Sequence, residues 1–403
     1  MKMGETKIDR QLKFIAAYDE GEVLYAVDEE GKGIFRINKE TGVSQMLFRL
    51  PTAGNRKILY QAVEKYKDKI FFFPYQFAVD RVLVYYLSEQ RIEYVDLFKK
   101  NELISGEYRP LQRVGDVVWL FPVELQKELL VFDLPTEKVR TIASWKTSMR
   151  EVQLAYSNSY SKVTKMIEVG DVFYLAILYT NIIIEINKYS FEIQIFRLPN
   201  EISLFGNLDY DGKNIWMLNS MGGVTKWNPT VGTLCYFPIP DKSEKIRFKT
   251  LLCGKKYIWL IPYQYDDRIA KMEYQTGNYQ FIHIFPGQFL FDSESNVSIF
   301  EQIHRRDNLV DLYPFNGNLT IHIDLEKDIL LERHEVISLP EEWSDNDILK
   351  YELENSYESK RVSPTLFLNS FLHEISQNKE KPSRISNGKK IWEEISKIKD
   401  KNG

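Results

Sequence analysis

The sequence predicts an all-β protein built from repeats. Three observations carry that prediction. An apolar, aromatic-rich run that stops abruptly recurs along the chain: Lys69–Pro74 (KIFFFP), Val117–Pro122 (VVWLFP), Ile215–Asn219 (IWMLN) and Tyr257–Pro262 (YIWLIP). The runs return at roughly 43 to 55 residues, about the length of a four-stranded propeller blade. Aromatic residues make up 14% of the chain, with 24 Tyr and 24 Phe, and aromatic side chains favour a pleated, half-buried surface. A tight-turn signal precedes several of the runs: Gly115-Asp116, Gly170-Asp171, Asp211-Gly212 and Gly254-Lys255, as two-residue hairpin loops require. Together these give a single seven-bladed β-propeller over residues 12–345. Six blades is the alternative, because the seventh repeat is the most degenerate.

Taken in order, each repeat reads as four strands, A to D, with the aromatic run as strand B. Strand B begins near Glu22, Lys69, Val117, Val172, Asn214, Tyr257 and Leu309. Repeat 6 gives the clearest template, with A at 248–253, B at 257–262, C at 268–274 and D at 279–285. Repeat 5 follows it at 204–210, 215–219, 223–228 and 233–239. Repeat 3 follows at 108–114, 117–122, 129–134 and 138–144. Repeat 7 reads 298–305, 309–314, 319–325 and about 330–339. Pro74, Pro122, Pro262 and Pro314 close their B runs, where a missing N–H costs least. Runs such as Ile70-Phe71-Phe72-Phe73 are apolar on both faces, as for a strand between two neighbouring blades. No helical segment of 3.6 periodicity is expected before about residue 345. The ring closes either edge to edge, with seven complete repeats, or with a strand supplied by Asp347–Glu354 (DILKYELE).

Residues 346–403 read differently, as an extension with two short helices. Ser363-Pro364 is a helix start, and Phe367, Phe371, Leu372 and Ile375 then share one face. The polar stretch Gln377–Gly388 is a linker, and Ile391, Trp392, Ile395 and Ile398 line a second helix. The extension packs on the propeller or docks a partner protein.

Composition excludes several function classes. A net charge of −4 with interspersed signs gives no field for nucleic acid or an anionic membrane. Apolar residues, 44% of the chain, supply a core. Cys235 and Cys253 are the two cysteines, too few for a disulfide framework or a zinc site by themselves. Cys235 falls in a strand and is expected to be buried. No apolar segment follows the polar Met1–Arg10 stretch as a signal peptide would demand, and no run is long enough to span a bilayer. The expected location is the cytoplasm. Nucleotide-loop, serine-hydrolase, zincin and paired-cysteine motifs are absent.

Two repeats carry a resemblance. Repeat 1 runs Val23–Val27, Gly33–Gly42 (GIFRINKETG) and Phe48-Arg49-Leu50-Pro51, and repeat 5 runs Ile215–Asn219, Gly223–Gly232 (GVTKWNPTVG) and Phe237-Pro238. These resemble the repeats of streptogramin lyase-like bacterial seven-bladed propellers over residues 12–340. The motifs are structural, and many unrelated functions share them. The resemblance implies a histidine general base and a magnesium ion with acidic ligands in the channel. None of His283, His304, His322, His334 and His373 sits in a matching context.

Candidate functional residues are therefore sought on the face formed by B–C and D–A loops, where propellers bind. Two B–C loops are near copies, Pro74-Tyr75-Gln76 through Arg81 and Pro262-Tyr263-Gln264 through Arg268. Glu124, Tyr179 and Asn219 fall in the corresponding loops, and Arg56 and Arg109 in the long D–A connections. Tyrosine beside an amide suits sugars and peptides. Arg81 and Arg268 have the planar fork that grips a carboxylate or phosphate. The competing reading is that each arginine makes an ion pair within its own blade. His322 and Asp324, with His304 and His334, are a weak metal candidate, because strands A, C and D of a blade are not mutually adjacent. The expectation is a non-enzymatic protein presenting this face to a peptide, glycan or protein partner, with no cofactor and no metal. The alternative is a lyase or hydrolase at the channel mouth, with or without metal assistance.

Overall fold

The computed structural model describes residues 12, 14–28, 32–50, 60–74, 81–97, 108–155, 163–220, 222–240, 248–262, 268–283, 300–314, 319–334, 337–344 and 346–348. It contains seven four-stranded antiparallel sheets, each formed by four consecutive strands in sequential order. Blade 1 is β1 (Phe14–Asp19), β2 (Val23–Asp28), β3 (Gly33–Asn38) and β4 (Ser44–Arg49). Blade 2 is β5 (Tyr60–Tyr66), β6 (Lys69–Pro74), β7 (Arg81–Tyr86) and β8 (Arg91–Asp96). Blade 3 is β9 (Tyr108–Val114), β10 (Val117–Pro122), β11 (Leu129–Asp133) and β12 (Lys138–Ile142). Blade 4 is β13 (Val163–Val169), β14 (Val172–Ile177), β15 (Ile182–Asn187) and β16 (Ile193–Arg197). Blade 5 is β17 (Leu204–Tyr210), β18 (Ile215–Asn219), β19 (Val224–Trp227) and β20 (Leu234–Phe237). Blade 6 is β21 (Phe248–Cys253), β22 (Tyr257–Pro262), β23 (Arg268–Glu273) and β24 (Tyr279–His283). Blade 7 is β25 (Phe300–Arg306), β26 (Leu309–Pro314), β27 (Leu319–Asp324) and β28 (Ile329–His334). The degenerate seventh repeat is thus a complete blade, and the six-bladed alternative falls. The propeller forms one compact unit, Arg10–Trp343.

The second strand of each blade is largely buried. In β6, Ile70 to Phe73 are fully inaccessible, and in β22 so are Ile258 to Ile261. Side chains of alternating parity enter the two flanking interfaces. Phe71 and Phe73 pack with Phe132 of blade 3, whereas Ile70 and Phe72 pack with Tyr25, Val27 and Ile34 of blade 1. Six such apolar layers join blades 1 to 7 in succession.

Turn glycines answer to two different demands. Gly115 and Gly170 sit at φ 58° in A–B turns, the left-handed region that only glycine enters without cost. Gly254, expected in the same role, does not have a positive φ. It is required for space: a Cβ there would strike the Asp328 carboxylate. That carboxylate accepts hydrogen bonds from Lys256 N at 2.8 Å and Trp259 Nε1 at 3.1 Å, tying blade 6 to blade 7.

One element contradicts the sequence expectation. Residues 143–155, assigned to a strand end and a loop, form helix α1 (Ala143–Ala155). Trp145, Met149 and Val152 lie at i, i+4 and i+7, so they share one helical face. All three are buried, against Phe121 of β10 and its neighbours in the layer between blades 3 and 4. A second correction concerns Cys235, which is exposed. It lies on β20, the outermost strand of its blade, whose residues are only partly covered.

The seam between blades 7 and 1 closes the ring by different chemistry. Lys39, after β3, places Nζ 2.8 Å from Asp19 Oδ2 and 2.6 Å from Asp311 Oδ2. Arg306 adds Nε at 3.4 Å from Asp19 and Nη2 at 3.5 Å from Asp311. Phe14 and Tyr313 meet as tilted rings, centroids 5.9 Å apart. Backbone bonds then latch the chain after β28 onto the first blade: Leu12 N to Ile337 O at 2.7 Å and Ser338 N to Gly42 O at 3.0 Å, with a parallel bridge between Val43 and Ser338. Closure therefore uses seven complete blades. The proposed closing strand at Asp347–Glu354 is not seen in its described part, where 346–348 form a helical turn capped by Ser344, whose Oγ accepts from Asp347 N at 3.2 Å. The two expected C-terminal helices lie outside the described residues.

Candidate functional site

The inner strands β1, β5, β9, β13, β17, β21 and β25 line the axis of the propeller. Each slips register once, near the end reached from the preceding D–A connection. The slips fall between Phe14 and Ala16, Tyr60 and Ala62, Tyr108 and Leu111, Val163 and Met166, Leu204 and Leu208, Phe248 and Thr250, and Phe300 and Gln302. A bulge leaves residues unpaired, bends the strand and re-aims side chains, and bulges favour rims and binding sites. Here seven of them ring one end of the channel, on the B–C and D–A side.

Three bulge residues, Lys165, Asn207 and Lys249, build a polar bridge with the paired Thr250 across blades 4 to 7. Lys165 Nζ donates to Thr250 Oγ1 at 3.0 Å, reaching from blade 4 to blade 6. The Thr250 hydroxyl donates to Asn207 Oδ1 of blade 5 at 2.9 Å, and Asn207 Nδ2 donates to Lys249 O. Lys249 Nζ donates to Phe300 O of blade 7 at 2.8 Å. Toward the other end of the same strands, Asp209 Oδ2 accepts from Arg305 Nη1 and from Cys253 N, both at 2.7 Å. Burial lowers the pKa of Lys165, and Asp209 pulls the other way. Burial pushes the Cys253 thiol well above its usual range, which keeps it protonated and unreactive.

On the opposite side of the channel, burial pushes the Glu64 carboxyl of β5 up to about 7, and the Arg113 guanidinium of β9, 3.7 Å away, only partly offsets it. Arg113 is itself anchored on Lys65 O at 2.6 Å and Gly115 O at 2.9 Å.

The third cluster is at the seam. Register places His304, Asp311 and His322 in one row across β25, β26 and β27. Burial raises the Asp311 pKa, but hydrogen bonds from His322 and Lys39 outweigh it and hold the carboxyl well below its usual range. An ionised carboxylate only accepts, so His322 Nδ1–H donates to Asp311 Oδ1, at 2.7 Å. Among the described residues His322 Nε2 has no hydrogen-bond partner. Burial pushes His304 down to about 4, against the pull of Asp19. Asp324 of the sequence-derived metal candidate is engaged elsewhere, 2.9 Å from Lys327 Nζ and accepting from Glu326 N and Lys327 N in the β27–β28 turn. Among the described residues no group of three or more His, Cys, Asp or Glu is placed to hold a metal ion.

The loop face predicted from the sequence is described in part. Arg56, Tyr75, Gln76, Tyr263 and Gln264 lie outside the described residues, and Arg109 stands in β9 at the bulge. Arg81 opens β7 and pairs across to Asp96 of β8, Nε to Oδ1 at 2.7 Å, so its fork engages within its own blade. Arg268 opens β23 with its guanidinium 5.3 Å from the Phe281 ring centroid. Both arginines thus open third strands, at the ends that follow the B–C loops. Glu124 Oε2 accepts from Gln126 Nε2 at 3.0 Å.

Tyr179 and Asn219 are brought together, on either side of the connection that enters β17. Tyr179 N donates to Leu204 O at 2.8 Å, and Leu204 N returns a bond to Thr180 O at 2.8 Å. After Asn219, Ser220 N donates to Ser203 O and Ser220 Oγ to Ser203 Oγ, both at 2.7 Å. Tyr179 is held at φ 59° and is 51% exposed. Beside it in the chain, Thr180 and Asn181 are buried and hydrogen-bonded. Thr180 Oγ1 donates to Ile177 O at 2.9 Å and accepts from Ile182 N at 3.1 Å, and Asn181 Nδ2 donates to Leu198 O.

No protein-family model matches the chain. No curated protein matches it in sequence. Solved structures match it in fold. Virginiamycin B lyase from Staphylococcus aureus superposes with a TM-score of 0.52 at 13% identity, over 76% of this chain and 94% of that one. A streptogramin B lyase structure gives 0.51 at 13% identity, over 77% and 92%. YCF48 bound to D1 peptide gives 0.52 at 9% identity, over 82% and 96%. At these identities the likeness is one of architecture, and it agrees with the repeat resemblance: the chain is a seven-bladed β-propeller similar in fold to the streptogramin lyases and to other propellers.

Proposed function

We propose that the protein is a binding propeller that presents its B–C and D–A face to a peptide, glycan or protein partner. The observation that carries this is Tyr179. A non-glycine residue in the left-handed region costs roughly 1–2 kcal/mol. Here that conformation is braced by the Leu204 backbone bonds and by two buried polar neighbours, and what it displays is a half-exposed aromatic ring. A rigid aromatic with little side-chain entropy to lose is a good binding anchor. YCF48, of similar fold, is described with a bound peptide, which makes a peptide segment a reasonable first partner to test. Among the described residues no helix is long and apolar enough to cross a membrane. The cytoplasmic assignment rests on the free thiols Cys235 and Cys253.

The test is capture of a partner by the full chain and by a variant with Tyr179→Gly, Tyr75→Ala and Tyr263→Ala. Loss of capture without a fall in melting temperature is expected, because glycine enters the left-handed region at position 179 without steric cost. Equal capture by both proteins sinks this choice of face. The enzymatic alternative has one observation in its favour, the Glu64 carboxyl near neutrality in the channel. A measured turnover abolished by Glu64→Gln, with folding intact, would displace the binding reading.

A further inference from the structure

We infer that the channel rim between blades 4 and 6 is a binding site for an oxyanion, a carboxylate or a phosphate, received by Lys165 and Asn207. This goes beyond the partner face and does not depend on it.

The inference rests on donor accounting. A lysine ammonium has three N–H donors. Lys165 Nζ spends one on Thr250 Oγ1. Among the described residues no carboxylate stands within ion-pair distance of it. Asn207 Nδ2 carries two N–H groups, of which one reaches Lys249 O. Asn207 Oδ1 is taken by the Thr250 hydroxyl, and Thr250 Oγ1 is taken by Lys165. The acceptors of the bridge are thus used internally, and donors remain.

Charge points the same way. The electrostatic surroundings of Lys165 hold two further cations, Lys249 and Arg305, and one described carboxylate, Asp209. Asp209 is committed to Arg305 and to the Cys253 amide, both at 2.7 Å. An uncompensated cation that is ringed by protein lacks the anion that would make its burial favourable. Lys165 still keeps part of its surface open, so water or a small anion can reach it from the channel. The β13 bulge, between Val163 and Met166, is what turns this residue out of the strand ladder.

The experiment is calorimetric titration of the full chain with sodium acetate, and separately with inorganic phosphate, at fixed chloride. Saturable binding of at least one is expected, and the tighter of the two names the anion class. Lys165→Met should weaken that binding by about tenfold or more, the loss of a charge-assisted hydrogen bond, and Lys165→Arg should largely restore it. Binding of neither anion, or equal binding by wild type and Lys165→Met, overturns the inference. Because Lys165→Met can perturb folding, a second measurement uses wild type alone. Acetylation of Lys165, read by peptide mass, should slow when the anion saturates the protein, while labelling of exposed Lys138 is unchanged. Unprotected labelling of Lys165 also overturns it.

Discussion

Two buried titratable groups in this ring should pull stability in opposite directions with pH. His304, at the blade 7–blade 1 seam, has its pKa lowered from 6.5 to about 4 by burial. The unfolded chain then binds this proton first. Stability from His304 is therefore full above 6.5 and is lost as pH falls toward 4. At about 1.4 kcal/mol per pH unit the loss amounts to roughly 3 kcal/mol. Glu64, on the inner strand of blade 2, is raised from 4.5 to about 7, again by burial. Here the folded chain binds the proton first, so stability is gained as pH falls from 7 toward 4.5, by a similar roughly 3 kcal/mol. The wild-type profile between pH 4.5 and 6.5 should then be nearly flat with respect to these two groups. Single variants separate them. His304→Asn should become more stable on acidification, and Glu64→Gln should become less stable. The assay is urea unfolding followed by tryptophan fluorescence at half-unit pH steps, with the slope of free energy on denaturant checked for constancy. Profiles of both variants parallel to wild type would refute the reasoning, since neither burial would then be perturbing a proton equilibrium.

Three further outcomes follow from the packing. Trp145→Ala should cost about 3–5 kcal/mol in the same unfolding assay, because it empties a fully buried site under α1. Lys39→Met should destabilise by up to about 3–5 kcal/mol, because it removes the nearer of the two cations that Asp19 and Asp311 share and leaves them only Arg306, at 3.4 and 3.5 Å; the loss should appear in hydrogen exchange first at the seam strands β1 and β25. Arg81→Ala should change stability by less than about 1 kcal/mol, as expected for an ion pair whose side chains are both 51% exposed.

The blade pattern was legible because it is local. The aromatic runs, the turn glycines and the prolines at strand ends lie within a few residues of one another, and the observed strands start and stop close to where those signals place them. Pro74, Pro122, Pro262 and Pro314 each end a second strand as expected. Helix α1 was missed although its signal is short-range. Trp145, Met149 and Val152 form a helical stripe, but the polar residues between them make the segment read as a loop. The row of His304, Asp311 and His322 was also within reach, since a hairpin turning at Asp307-Asn308 sets His304 opposite Asp311. The channel bridge was not. Lys165 and Thr250 are 85 residues apart, and no periodicity says which inner-strand residues meet across two blades. The bulges hid as well, because alignment on the second strands treats the first strands as regular ladders. The candidate face was therefore read from loops alone, which does not show that Arg81 is engaged by Asp96 within its own blade.

The binding account is tested most directly by photocrosslinking from two tyrosines of blade 4. Tyr179 lies on the B–C side and Tyr189, 68% exposed, in the C–D turn on the other side. A benzoylphenylalanine in place of each, in otherwise identical full-length protein, samples one face at a time. The account predicts one specific crosslinked partner from position 179, competed by unlabelled wild type, and none from position 189. The same partner captured from position 189 and not from 179 would contradict it.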